Sequence, residues 1–600
     1  MKKLSLPQNK IAQAFILVVA ACTIFWQYPQ LQFTHDELSA LHRTEFSNFS
    51  ELIEKGVLIE GHPAGVQTFL YYYAPLVNYS LWGLKLPFSL LALASILLVF
   101  AIAKTINQVE AGIYTGAIMA VSQYFIYYGQ IIRPYEVGLF FCLLSAWFWM
   151  RYFYKEAHFK YLIGFALAAA GAAYTHQFAL LMVAIMGLHA LFIARGRSLL
   201  EWIFCGLLTF LLYLPHLGIF FHQLSLGGVG SWLAKPSDTF ILEYGAYIFH
   251  FSYLFIAAIF IALLLPSWKI KKLKHWEGVI WFSATFLIGF IYSRAVNPVI
   301  QYSTLIFAAP LLLLSLFALR QMRLQWVSLL LLMSTGLYSL YAGREHYPLT
   351  YQSTFKYPRE YVSHRGLDNS ALILQLNKEK WDFYAQLDGY ESAQNYHYQN
   401  PLNLIKYLKD FPSQEIVLAS DHTSPLFLGS LIESYGFRQM RKKDHLGFTL
   451  EHFSRNSENK ISPIKKTELA GMGICTSAKE YCGQMELSLA KSELKGKQDF
   501  IVAQFEIEMP AMDSQAQIII AFFANDELLH WSNRPLAEFQ SDTSFTVFHA
   551  QVLPSDWGDH SQIEVRGLLE TKGEKIRIKK ASLKLMEGNN RIYGINEPFD

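Results

Sequence analysis

The sequence predicts a polytopic α-helical membrane protein, with about eleven transmembrane helices followed by two extracytoplasmic domains, one α/β and one a β-sandwich. Three observations predict it. Of 600 residues, 53% are hydrophobic and only 16% charged, with a mean hydropathy of +0.23, more apolar than water-soluble globular chains. Long apolar runs fill residues 11–342, whereas the last 258 residues read as an ordinary polar sequence. Beyond residue 499, apolar and polar residues alternate in strand-length runs. The formal net charge of +3 produces no global field that would draw in nucleic acid, so function has to be sought in local sites.

The order of spans follows from two rules: a helix needs about 20 apolar residues to cross, and Lys and Arg collect on the cytoplasmic side. Lys2, Lys3 and Lys10 precede the first run, Ile11 to Tyr28. Trp26, Gln27, Tyr28 and Pro29 stand where a signal peptide would have its small-residue cleavage site, so this run reads as an uncleaved anchor with a cytoplasmic N-terminus. Leu84 to Ala103 returns to Lys104. Between them Val66 to Trp82, rich in Tyr and interrupted by Pro75 and Asn78, reads as an interfacial helix. Ala111 to Tyr128 goes out, and Tyr135 to Phe153 comes back to Arg151, Lys155 and Lys160.

Tyr161 to Ala194 holds no Asp, Glu, Lys or Arg in 34 residues; at 1.5 Å per residue that is about 51 Å of helix, a hairpin rather than one span. Its turn falls at Thr175, His176 and Gln177. Arg195 and Arg197 lie inside, Leu199 to Phe220 goes out to a loop with Gly227, Gly228 and Gly230, and Phe240 to Leu265 returns to Lys269, Lys271, Lys272 and Lys274. Val279 to Tyr292, Leu305 to Leu319 (returning to Arg320 and Arg323) and Trp326 to Tyr341 complete the set. Everything after residue 342 is then extracytoplasmic, or periplasmic if the membrane is a bacterial inner membrane.

Residues 343–455 alternate strand-like and helical stretches and read as a small α/β domain. A polar linker, Ser454 to Lys466, leads into residues 456–600, where "FIVAQFEIEM", "AQIIIAFF", "SFTVFHAQVL", "SQIEVRGLL" and "KIRIKKASLKLM" have the pattern of an antiparallel β-sandwich. Cys22, Cys142 and Cys205 fall in membrane segments; Cys475 and Cys482, in the polar part, are open to either a disulfide or two free thiols.

This topology brings ionisable residues to one face. The first external loop supplies His35, Asp36, Glu37, Glu60 and His62; "YYGQIIRPYE" supplies Arg133 and Glu136; the hairpin turn supplies His176; and the loop after the ninth span supplies Arg294, Asn297, Gln301 and Tyr302. Interfacial charges are functional by default, although Asp36 and Glu37 also suit the end of a span, and Arg133 could snorkel to lipid headgroups.

"THDELSA", "GHPAGVQTFLYYY", "YYGQIIRPYEVGLFF" and "AAYTHQFALL", in this order and spacing, resemble the integral-membrane GT-C glycosyltransferases, in particular bacterial relatives of the protein O-mannosyltransferases and the lipid A aminoarabinose transferases. The resemblance implies an inverting glycosyltransferase of the cell envelope. It would use a sugar donor on a polyprenyl phosphate in the lipid bilayer and a protein, lipid or polysaccharide as acceptor. It implies Asp36 as the catalytic carboxylate with Glu37 as its companion, and Arg133 as phosphate partner with Glu136, His62 and His176 around it. Relatives carry an Arg-Tyr pair where this chain has Gln301 and Tyr302, so either Arg294 supplies the charge or donor handling differs and Arg133 carries more of the load. Some relatives use a divalent metal ion, for which Asp36, Glu37, His62 and His176 would be the ligands, but no diagnostic metal-binding spacing is present. A transporter or lipid flippase is the alternative of another class; it would place its charges near the midplane and show internal repeats.

Overall fold

The computed structural model describes residues 6–226, 233, 235–264, 275–319, 325–352, 354–367, 370–387, 389, 395–456, 462–475, 480–509, 514–554, 557 and 560–592. The glycines at 227, 228 and 230, the lysines at 269, 271, 272 and 274, and Arg320 and Arg323 lie outside them. The chain forms two compact units, Met1–Tyr351 and Gln352–Asp600.

The first unit is helical: α1 (Leu6–Phe25), α2 (His35–His42), α3 (Phe49–Glu51), α4 (Ala64–Leu76), α5 (Leu81–Thr105), α6 (Val109–Val121), α7 (Gln123–Gln130), α8 (Pro134–Tyr154), α9 (Phe159–Ala173), α10 (Gln177–Ile193), α11 (Arg197–Tyr213), α12 (Leu217–Ser225), α13 (Phe240–Ile248), α14 (Tyr253–Leu264), α15 (Glu277–Ala295), α16 (Ala309–Ala318) and α17 (Trp326–Tyr338). Among the described residues six segments are long and apolar enough to cross a membrane: Gln8–Gln30, Leu81–Thr105, Pro134–Tyr154, Arg197–Ser225, Glu277–Ala295 and Trp326–Gly343. The pair α13 and α14 forms one further apolar segment bent by 88°, and α6, α9, α10 and α16 are shorter apolar helices. The protein is therefore a multi-pass membrane protein whose hairpin, α9 and α10, turns at Tyr174–His176.

Two expected spans are broken rather than continuous, and one pair of contacts accounts for both. The stretch Ala111 to Tyr128 divides at Ser122, whose hydroxyl donates to the Ile248 carbonyl at 2.7 Å. The following amide, Gln123 N, donates to His250 Nε2 at 2.7 Å. His250 and Phe251 take positive φ at the bend between α13 and α14. Each helix thus satisfies the end groups of the other, which is the condition for interrupting a helix away from water. The Tyr-rich segment of the first loop is helical for only 13 residues, α4, and ends in a turn where Asn78 and Tyr79 adopt positive φ.

The second unit contains three sheets. A five-stranded sheet has the order β2 (Asn395–His397), β1 (Ala371–Gln375), β3 (Glu415–Asp421), β5 (Phe448–Ser454), β4 (Arg438–His445); β1 pairs in parallel with both β2 and β3, and β5 runs antiparallel to its neighbours. Two antiparallel four-stranded sheets follow. One is β10 (Glu527–Pro535), β9 (Gln517–Ala524), β12 (Gln562–Glu570), β7 (Tyr481–Ala490), and the other β11 (Ser544–Val552), β8 (Phe500–Glu508), β13 (Ile576–Met586), β6 (Lys465–Cys475). Their apolar positions, among them Phe505, Ile507, Ile518, Ile520, Val565 and Leu583, share one buried core, as the alternation of strands predicts. Strands β6, β7 and β10 go beyond the five read from sequence. Cys475 and Cys482 form a disulfide, which resolves the open choice between bridge and free thiols.

Candidate functional site

The site starts from the way α2 begins. Thr34 caps the helix: its hydroxyl accepts from Glu37 N at 3.3 Å, and Glu37 Oε2 accepts from Thr34 N at 2.7 Å, a reciprocal capping box. Successive helical residues point about 100° apart, so fixing Glu37 inward turns Asp36 outward. Glu37 is fully buried, while the Asp36 side chain is 69% exposed.

Glu37 then organises what surrounds it. Its Oε1 accepts from Lys85 Nζ of α5 at 2.6 Å and from Ile132 N at 2.9 Å. Lys85, itself 1% exposed, also donates to the Gln130 carbonyl at 3.3 Å. Both carboxylate oxygens of Glu37 are therefore engaged by donors of the protein. The expectation of a paired catalytic carboxylate is corrected here: Glu37 is a buried junction joining the first loop, α5 and the 130–132 segment.

That junction sets Arg133 beside Asp36. Arg133 is the extended residue just before α8, whose first residue is Pro134, a position suited to proline. Its guanidinium is 6% exposed. Nη1 lies 3.5 Å from the Asp36 carbonyl, Nη2 lies 3.4 Å from His62 Nδ1 and 3.5 Å from Glu60 Oε1, and Nε has no hydrogen-bond partner. Glu60 reaches Arg43 Nη1 at 2.5 Å and His62 Nδ1 at 3.8 Å. Asp36 Oδ1 lies 3.8 Å from His35 Nδ1.

Protein around Asp36 raises its pKa by desolvation, yet the hydrogen bond from His35 and the charges of Arg133 and His62 hold the carboxyl well below the usual range. Glu60 is likewise held low against its own burial, by His62, Arg133 and Arg43. Both carboxylates are thus ionised at neutral pH.

His62 and His176 meet with ring centroids 5.2 Å apart, and Tyr135 lies 6.4 Å from the first and 5.7 Å from the second. His176 caps α10, its Nδ1 accepting from Phe178 N at 3.0 Å, which leaves Nε2 to carry the proton of the neutral ring. The loop bearing His62 is pressed on the hairpin turn: Gly65 N donates to the Tyr174 carbonyl at 2.8 Å, and a Cβ on Gly65 would stand 2.4 Å from that oxygen. Behind this loop opens a cavity of about 810 Å³, lined mainly by apolar groups such as Phe49, Ile53, Leu58, Tyr174, Pro215 and Ile219.

The remaining expected residues lie elsewhere. Glu136 is buried against α5, where Ser95 Oγ donates to its Oε1 at 2.6 Å. Arg294 does not replace the charge missing at Gln301; it is half exposed and held by Asp238 at 2.6 Å and the Pro236 carbonyl at 3.1 Å. Tyr302 donates to Glu243 at 3.1 Å and stacks on Tyr247 at 5.2 Å. Rings at 4.7–5.5 Å then run from Tyr247 through Tyr124 and Tyr128 to Tyr135, so an aromatic wall links Tyr302 to the Arg133 region. Among the described residues no three His, Cys, Asp or Glu side chains group in a way that could hold a metal ion. Asp36, His62 and His176 do surround Arg133, but Glu37 is turned away into its pair with Lys85.

Sequence reasoning missed Lys85 and Arg43 as members of this cluster, and named Glu60 without giving it a role. Lys85 carried a signal, being a lone charge in the apolar run after Trp82, which demands a buried partner. Arg43 sits in a polar loop without periodicity and carried none.

Residues 61–219 match the family model described as dolichyl-phosphate-mannose-protein mannosyltransferase. Three of the four motifs that resemble the GT-C enzymes fall within these residues, and "THDELSA" precedes them. No match to a curated protein was found by sequence. Among solved structures, the chain is similar to ArnT from Cupriavidus metallidurans in the apo state, at 11% identity and a TM-score of 0.44 over 73% of this chain and 97% of that one. The same protein bound to undecaprenyl phosphate gives 11% and 0.43 over 74% and 98%. The S. cerevisiae protein O-mannosyltransferase Pmt1-Pmt2 complex, bound to the sugar donor, gives 15% and 0.30 over 37% and 35%. The chain is thus similar to the GT-C glycosyltransferases.

Proposed function

We propose that the protein is an inverting GT-C glycosyltransferase, which transfers a sugar from a polyprenyl-phosphate donor to an acceptor hydroxyl at the extracytoplasmic face of the membrane. The observation that carries this reading is an open, ionised carboxylate, Asp36, beside a buried guanidinium, Arg133, which reaches the Asp36 backbone carbonyl and whose Nε lacks a partner. A buried unsatisfied donor is costly unless a ligand supplies the acceptor, and a phosphate oxygen is the acceptor that guanidinium favours. The family match and the apolar cavity behind the His62 loop support a donor that is part phosphate and part hydrocarbon.

In this reading the acceptor oxygen attacks the anomeric carbon from the face opposite the phosphate, and Asp36 takes the acceptor proton as the new C–O bond forms. The bond from the anomeric carbon to the phosphate oxygen breaks, and its electron pair leaves on the lipid phosphate. Arg133 offsets that growing charge, the kind of stabilisation that dominates group transfer. Ground-state binding and base strength are coupled. While Arg133 supports Asp36 the carboxylate is a weak base; once the phosphate engages the guanidinium, that support is divided and the basicity of Asp36 rises towards the useful range. His62 and the Nε2–H of His176 are placed to donate to phosphate or sugar oxygens. Among the described residues the one solvent-facing carboxylate of the cluster is Asp36, while Glu60 is mostly buried against Arg43, which favours inversion, since retention uses a carboxylate nucleophile.

The test is Asp36→Asn, in membranes or detergent, with surface glycans read by mass spectrometry. Transfer is expected to fall by at least 10²-fold while the protein still inserts; wild-type transfer in that variant would remove the assignment. Comparison of glycans with and without the protein then identifies sugar and acceptor.

A further inference from the structure

The reaction just described makes no use of Glu60 and Arg43, although Glu60 is the only carboxylate other than Asp36 near the Arg133 guanidinium among the described residues. Its two oxygens are used unequally. Oε2 lies 2.5 Å from Arg43 Nη1, while Oε1 stops 3.5 Å from Arg133 Nη2 and 3.8 Å from His62 Nδ1. The first is a close ion pair, in which Arg43 Nη1 makes no hydrogen bond, and the other two stand beyond the roughly 2.7–2.9 Å at which charge-assisted bonds close. Arg43 is anchored in turn, through Nη2 to Ser39 Oγ at 3.3 Å. Arg133 is correspondingly underheld: its contacts to Asp36 O, His62 and Glu60 run from 3.4 to 3.5 Å.

We propose that Glu60 is a positioning residue, the resident counter-ion of Arg133. Tethered by Arg43, it orients the guanidinium in the empty site and is kept from closing on it, so an incoming prenyl phosphate takes the guanidinium over. This rests on the function proposed above. Two consequences of opposite sign follow. Removing the charge of Glu60 leaves phosphate unopposed at Arg133 and tightens its binding. Removing the tether lets Glu60 close on Arg133 and compete, which weakens it. Because Arg43 acts through Glu60, its loss has no effect once Glu60 is neutral.

The experiment measures binding of farnesyl phosphate to the purified full-length protein in detergent by calorimetry, for wild type, Glu60→Gln, Arg43→Gln and the double variant. Expected are about fivefold tighter binding for Glu60→Gln and about fivefold weaker binding for Arg43→Gln, the scale of a partly exposed ion pair. The double variant is expected to match Glu60→Gln. In turnover Glu60→Gln lowers KM for the donor and also lowers kcat, because the product phosphate leaves more slowly. If the isosteric variant does not insert, Glu60→Asp, which withdraws the carboxylate by one methylene, is expected to tighten binding by a smaller factor. Unchanged or weaker binding in Glu60→Gln overturns the inference while leaving the proposed function intact. A double variant that is weakened as Arg43→Gln is overturns it too, because Arg43 would then act on the phosphate directly. Absence of binding by wild type overturns the function and this inference together.

Discussion

Neutralising Glu37 is expected to damage the fold before it touches the chemistry, and the size of that damage can be worked from its contacts. Glu37 and Lys85 are 0% and 1% exposed and 2.6 Å apart. Glu37→Gln leaves the Lys85 ammonium buried with only the Gln130 carbonyl at 3.3 Å, and Lys85→Met leaves the carboxylate with only the Ile132 and Thr34 amides. Removing one partner of such a pair costs about 3–5 kcal/mol. Removing both charges costs much less, because neither is left uncompensated; the residue is the weakened cap of α2, about 1 kcal/mol. The double variant should therefore lie well above either single variant, with a coupling energy of about 2 kcal/mol or more. Unfolding in mixed micelles with an anionic detergent, followed for wild type, both singles and the double, measures this. The double variant is also expected to keep measurable transfer, since Asp36 remains. Additive losses would refute the buried pair, and a Glu37→Gln protein as stable as wild type yet inactive would restore Glu37 to the chemistry.

Two other outcomes are expected. In the second unit, burial and the neighbouring Asp444 and Glu433 push Glu451 up to about 7, against Lys442 and a hydrogen bond from Gln439. Its folded pKa lies above its unfolded value, so the stabilisation is complete below about pH 4.5 and is lost as pH rises to 7; two and a half units correspond to about 3 kcal/mol. Hydrogen exchange in β4 and β5 between pH 5 and 7 should show this slope, and Glu451→Gln should flatten it; an equal slope in the variant refutes the assignment. For the membrane topology, reporter fusions at Lys274 and Arg344 are expected to report cytoplasm and exterior respectively, and the reverse pattern overturns the orientation read from loop charges.

The contrast between Asp36 and Glu37 shows where sequence reading works and where it stops. The two carboxylates are adjacent, of equal charge and at the same distance from the first span, so a reading by residue type pairs them. The spacing Thr34 to Glu37 already carried the capping-box pattern, and with it the inward turn of Glu37. Lys85, alone in an apolar run, carried the matching half. Neither signal says that the two meet, because 48 residues separate them. The apolar helices were legible because their driving force is local composition. The breaks at Ser122 and His250 were not, since no proline or glycine makes them; they depend on a contact between positions 126 and 127 residues apart. Most strands with a clean alternation were found, although β7, where Met485, Leu487 and Leu489 alternate inward, was not; β10, with no buried residue from Glu527 to Pro535, gave no apolar face to read.

The same reasoning explains why Asp36 can be open to water without the reactive pair being loose. Asp36 and Arg133 make few strong contacts of their own, yet each is one residue from a group bound to Glu37: Asp36 precedes it in α2, and Arg133 follows the Ile132 amide that it accepts from. Their separation is thus set by a buried ion pair and a helix cap rather than by contacts across the site. Lys85 fixes the position of Glu37 from α5, an apolar helix of 25 residues, where the alternative to pairing is an uncompensated charge in a low-dielectric interior. Precision is supplied from beneath, and the donors and acceptors at the surface stay available for a substrate.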